Sequence, residues 1–276
     1  MIRTGITSFA NDTFMFAALA RQQAPSGLDY SILYEDLEEL NQRALRAESD
    51  LLKVSFSILD RVSEDYILLP VGGCLIMSQG PQLIAREAFS PEELPSKRLG
   101  IPGHHTTAYL LLRMLFPAAA EELVFPYHEL TERLLDQTID CALTIHDSHF
   151  LNSSYQFKTI ADLCNSWASE TQGPLPLGGL IARRSLGKEI LSKITRDLQS
   201  SLLDAWQNRG RAAQFAYEQS RVQNPEIIRK CIDLYVNDES MQLSPAGIRS
   251  IHHLLNPGGK KTQPGLTQQD WLFTPA

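Results

Sequence analysis

The sequence predicts an α/β fold in two lobes with a ligand cleft between them, and three observations predict it. Strand-like and helix-like runs alternate from residue 2 to residue 145, which implies parallel sheets covered by helices. The alternation falls into two blocks with the same grammar. The stretches PQLIARE (81–87) and LGGLIARR (177–184) are alike, apolar and closing on arginine, and each sits at a block junction, as a strand crossing between lobes would. The expected division is residues 1–90 as the first segment of lobe I, 91–180 as lobe II, and 181–276 as a mainly helical return to lobe I with an irregular C-terminal tail.

The elements follow in order. IRTGITSF (2–9) reads as a strand, with a helix from about Asp12, and DYSILYED (29–36) as a second strand. Residues 36–49 carry Leu37, Leu40, Ala44 and Leu45 at helical spacing. LLKVSF (51–56), YILLPVGG (66–73) and PQLIARE (81–87) are further strands. The second block sets strands at 97–103, 123–127 and 141–145 against helices at 106–116 and 128–139. PLGGLIARR (176–184) is another strand, and from about Gly187 to Leu255 the chain reads as helical.

Bulk composition narrows the partners. A chain of 276 residues, 43% hydrophobic, has material for a sizeable core. Its net charge of −7 and the lack of any Lys/Arg run argue against nucleic acid. No run reaches the ~18 apolar residues of a membrane span, and Asn11 and Asp12 interrupt the apolar N-terminal stretch that a signal peptide would need. Cys74, Cys141, Cys164 and Cys231 are scattered and read as free thiols of a cytoplasmic protein. A small-molecule substrate is the expected partner.

In an open α/β sheet, ligands bind beyond the carboxyl ends of the strands, near helix N-termini. LTIHDSHF (143–150) ends a strand on His146. His146 and His149 could be metal ligands, though no third ligand has convincing spacing. They could equally belong to an ordinary polar loop, or His146 could be a general base, since imidazole titrates near neutrality. In GHHTTAYLLL (103–112), Thr106 and Thr107 sit at a helix start, where they either cap it or frame an anion pocket. In TSFANDTF (7–14), Asn11 or Asp12 caps the next helix, or Asn11 hydrogen-bonds a ligand. Lys53, Val54 and Ser55 end the third strand, with Ser55 placed to reach the cleft. Gly72 and Gly73 allow a tight turn.

These segments together resemble the 1,4-dihydroxy-6-naphthoate synthase family of the futalosine route to menaquinone. GITSFANDTF (5–14), EDLEELN (35–41), KVSF (53–56), PGHHTTA (102–108), TIHDSHF (144–150), PLPLGGLIARR (174–184) and YVND (235–238) match that family's motifs in order. The resemblance implies a type II periplasmic-binding-protein-like fold and a lyase that cleaves cyclic dehypoxanthine futalosine by base-triggered carbon–carbon cleavage and aromatisation. It implies no metal and no organic cofactor. It makes His146 the base, and Lys53, Val54, Ser55, Thr106 and Thr107 substrate contacts. The departures are residues 8–10, where SFA replaces P-C-P, residues 71–81, and His149 in place of Arg. Substrate identity, rather than the fold or His146, is what these departures bear on. A chorismate dehydratase of the same route is the related alternative, disfavoured by the T-I-H-D-S segment and the paired threonines. A binding protein that only captures a small acid is the other, and it has no need of a base at His146.

Overall fold

The computed structural model describes residues 1–146, 150, 155–256 and 267–275. The chain forms two compact units, one of Met1–Leu75 with Pro176–Ala276 and one of Ile76–Leu175. In chain order the strands are β1 (Ile2–Ile6), β2 (Tyr30–Tyr34), β3 (Leu51–Ser55), β4 (Tyr66–Leu68), β5 (Cys74–Ile76), β6 (Gln82–Ala85), β7 (Arg98–Ile101), β8 (Glu121–Val124), β9 (Cys141–Thr144), β10 (Lys158–Asp162) and β11 (Leu175–Arg183).

The sheet of the first unit runs β2-β1-β3-β11-β4, with β5 beside β11. β1 pairs in parallel with β2 and β3, while β11 runs antiparallel to β3 and β4. The sheet of the second unit, read from its far edge, runs β8-β7-β9-β6-β10. Here β7 pairs in parallel with β8 and β9, and β6 is antiparallel to β9 and β10. Both sheets thus place three parallel strands in the same order, followed by one strand that runs against them, β11 or β6, and one antiparallel to that strand, β4 or β10.

The repeat extends to side chains. Arg3 donates from its backbone N, Nε and Nη2 to Asp50, at 2.9, 3.1 and 2.9 Å. Arg98 does the same to Asp140 at 2.8, 3.2 and 2.8 Å. Each pair ties the first of a unit's three parallel strands, near its start, to the residue preceding the third of them. Two residues on in the same strands, Gly5 and Gly100 are packed so closely that a Cβ would meet Leu40 and Leu52 at 2.7 Å at Gly5 and Ile139 at 2.4 Å at Gly100.

Each unit has its own core. In the first, Phe14, Phe16, Leu19, Leu40, Leu51 and Leu52 are buried, and Trp206 meets Phe14 edge-on at 5.3 Å. In the second, Ile84, Leu130, Leu134, Ile139 and Ala142 form one cluster. The helices Gly187–Gln207, Arg209–Gln219, Pro225–Tyr235 and Pro245–Leu255 return to the first unit. All four cysteines are free and buried.

Several expectations differ from the structure. Residues 81–87 do not cross between units: β6 pairs on both sides within the second sheet. The chain changes unit at Leu75/Ile76, inside the short β5, and returns at Leu175/Pro176. The sheets are mixed rather than parallel, because β6 and β11 enter each sheet against the direction of the others. β10 and the helix Leu163–Thr171 have no counterpart in the expected elements. β10 is a partly exposed edge strand with little apolar alternation, and that helix is weakly amphipathic. The first helix starts at Ala10 with Phe9 as its N-cap residue, so neither Asn11 nor Asp12 caps it. Of the tail, residues 257–266 lie outside the described residues; Gln268–Trp271 is a helical turn, and Leu272 bridges to Leu68.

Candidate functional site

Each sheet has a point where the connections from neighbouring parallel strands diverge. The chain leaving β1 travels to β2 on one side, while β3 lies on the other. Ligand crevices form outside the carboxyl ends of strands at such a point. β7 and β9 create the equivalent point in the second unit.

In the first unit, the ends of β1 and β3 carry a buried polar network. Asp12 is its centre and is 1% exposed. Its Oδ2 accepts from Thr7 Oγ1 at 2.6 Å, and its Oδ1 from Asn11 Nδ2 at 2.8 Å. Lys53 Nζ lies 3.1 Å from the same Oδ1 and donates to the Gly72 carbonyl at 3.0 Å. Gly72 adopts φ +79°, and a Cβ there would meet Leu180 at 2.3 Å, so glycine is the residue that can present this carbonyl. A buried charge requires such a partner and such hydrogen bonds. Cys74 lies near this pair, and its thiol is pushed up to about 12, chiefly by burial, with Asp12 adding to the rise and Lys53 opposing it. It is therefore a neutral thiol rather than a nucleophile at neutral pH.

Lys53, Val54 and Ser55 are all buried in β3. Asn41 holds Ser55 from both sides, accepting from its backbone N at 2.9 Å and donating to its Oγ at 3.1 Å. Gly178 pairs with Ser55 in β11, and a Cβ there would lie 2.5 Å from the Val54 carbonyl.

In the second unit, β7 leads to Thr106, which caps the helix Thr107–Leu115. Its Oγ1 accepts from Tyr109 N at 3.2 Å and donates to the Gly103 carbonyl at 2.9 Å. Thr107 opens the helix and is buried. His146 is two residues beyond β9, partly buried, with φ +52°. Left-handed backbone is uncommon for a residue with a Cβ and marks a turn here, as it does at six other described non-glycine residues. It turns the chain immediately after the strand end that Thr144 anchors, through Oγ1 to the Gln82 carbonyl at 3.2 Å.

The structure thus brings Asn11, Lys53, Val54 and Ser55 to one crevice-forming strand end, and Thr106, Thr107 and His146 to its counterpart in the other unit. Asp147, Ser148 and His149 lie outside the described residues. Among the described residues no group of three or more His, Cys, Asp or Glu side chains is arranged to hold a metal ion. Three participants escaped the sequence reading: Asp12 as the network's centre, the Gly72 carbonyl, and Asn41. Asn41 had a legible signal, since an asparagine beside Leu40 and before Ala44 falls on the buried face of its helix.

Comparisons with known proteins bear on both fold and chemistry. A family profile described as menaquinone biosynthesis matches residues 2–259. A 1,4-dihydroxy-6-naphthoate synthase of Streptomyces coelicolor is 34% identical over 250 residues, covering 89% of this chain and 88% of that protein. One of Thermus thermophilus is 30% identical over 253 residues, covering 92% of each. A solved protein from Archaeoglobus fulgidus superposes with a TM-score of 0.87 at 28% identity, over 94% of this chain and 97% of its own. The periplasmic aliphatic sulphonate binding protein of Escherichia coli shares the fold alone, with a TM-score of 0.63 at 9% identity over 100% and 92% of the chains. The fold is periplasmic-binding-protein-like. Among the described residues no helix is long and apolar enough to cross a membrane.

Proposed function

We propose, from the premise that this chain belongs to the menaquinone biosynthesis family, that it is a lyase converting cyclic dehypoxanthine futalosine to 1,4-dihydroxy-6-naphthoate. One observation carries the reading: similarity to curated 1,4-dihydroxy-6-naphthoate synthases along 89% and 92% of the chain. The site residues supply the roles. His146 is the general base. Its imidazole takes a proton from a substrate hydroxyl, the alkoxide collapses to a carbonyl, and the adjacent carbon–carbon bond breaks in a retro-aldol sense. The electron pair of that bond passes to the departing carbon, and later loss of protons gives the aromatic dihydroxynaphthalene ring. A positioned base of this kind contributes about 10²–10⁴-fold. Ser55, held by Asn41, and Thr107 are substrate contacts.

The four free, buried cysteines support a cytoplasmic location. The test is to incubate the purified, chelator-treated protein with cyclic dehypoxanthine futalosine and to follow the naphthoate by mass and absorbance. Product is expected. Binding without product would instead favour a receptor role, like that named for the sulfonate-binding proteins that share this fold.

A further inference from the structure

Asn11 is 1% exposed, yet its Oδ1 accepts no hydrogen bond from any described residue. The amide cannot turn to remedy this. Its Nδ2 donates to Asp12 Oδ1, and a carboxylate only accepts, so exchanging nitrogen and oxygen would set oxygen against oxygen. Asp12 is itself held by Thr7 and by Lys53, whose Nζ is anchored on the Gly72 carbonyl. A buried acceptor left without a donor is costly and calls for an explanation. Here it sits at the carboxyl end of β1, beside the end of β3, where this fold places ligands.

We infer that Asn11 Oδ1 accepts a hydrogen bond from a hydroxyl of the substrate, and that Asp12 and Lys53 are positioning residues that fix the amide for this purpose. The inference rests on the synthase reading and deepens it. Asn11 selects a ligand that offers a hydroxyl donor at this point over one that offers hydrogen or an ether. Lys53 acts through Asp12, because both its partners are protein atoms and it is 4% exposed.

The experiment measures kcat and KM of wild type and variants with cyclic dehypoxanthine futalosine and with its single-deoxy analogues. Wild type is expected to lose about tenfold in kcat/KM for one analogue, the size of one hydrogen bond. Asn11→Ala should lose about the same with the parent substrate and none further with that analogue. The charge-free double variant Lys53→Met/Asp12→Asn leaves no buried ion unpaired. It should reduce the same discrimination, acting on KM more than on kcat, and Lys53→Arg should retain it. Turnover by wild type with discrimination unchanged in Asn11→Ala and in the double variant would overturn the inference alone. Absence of turnover by wild type would overturn the synthase reading, and the inference with it.

Discussion

His146 and the two threonines show how residues of ordinary type acquire distinct tasks from their places. Thr106 spends its hydroxyl on the helix it caps, accepting from Tyr109 and donating to Gly103. Thr106→Ala should therefore cost about 1 kcal/mol of stability, read as a shift in the urea midpoint. Thr107→Ala should instead weaken ligand binding with little change in that midpoint, which a calorimetric titration of both variants would separate. Equal effects on stability from the two would contradict the division. Sequence spacing could place both threonines at a helix start but could not divide capping from contact, because that depends on which hydroxyl meets the Tyr109 amide. Nor could it show that Lys53 turns to Asp12, since those residues are far apart in sequence and meet only when β1 and β3 pair.

At the level of elements, the repeated Arg–Asp clamp is a structural device rather than part of the site. It lies at the amino ends of the parallel strands, away from the ends that carry His146 and Ser55. The Arg3 guanidinium, hydrogen-bonded to Asp50, holds that carboxyl below its ordinary range, and Arg98 does the same for Asp140. A depressed folded-state pKa contributes stability that is present above the unfolded value, about pH 4, and lost as pH falls through the folded value. Asp50→Asn and Asp140→Asn should each destabilise by about 1 kcal/mol at pH 7, since the arginines are largely exposed. Urea titrations should show that difference shrinking below about pH 4, and a difference that grew on acidification would refute the assignment. The clamps were written in the sequence as R-x-G-I at 3–6 and 98–101, each followed by an aspartate before a later strand. The strongly periodic and apolar elements were legible. β5, only three residues long, and the partly exposed β10 were not, because neither offers a periodic signal and both are fixed by pairing with distant strands.

For the whole molecule, the two-lobed α/β class followed from two blocks of alternating strands and helices, and the ordered motifs pointed to the family. The places where the chain changes unit did not follow, because an apolar run closing on arginine looks the same in either sheet. Two units with separate cores are expected to unfold as separable steps. Trp167 belongs to the second unit and Trp206 and Trp271 to the first. Fluorescence of Trp167→Phe and of Trp206→Phe/Trp271→Phe should therefore report different urea midpoints, whereas coincident midpoints would show one cooperative molecule. The central claim is that this chain is a synthase whose base is His146. The most direct test measures turnover of cyclic dehypoxanthine futalosine and its binding affinity in wild type and His146→Asn side by side. Turnover is expected to fall about 10²–10⁴-fold with binding nearly unchanged. Turnover that survives the substitution, or falls only in step with affinity, would contradict it.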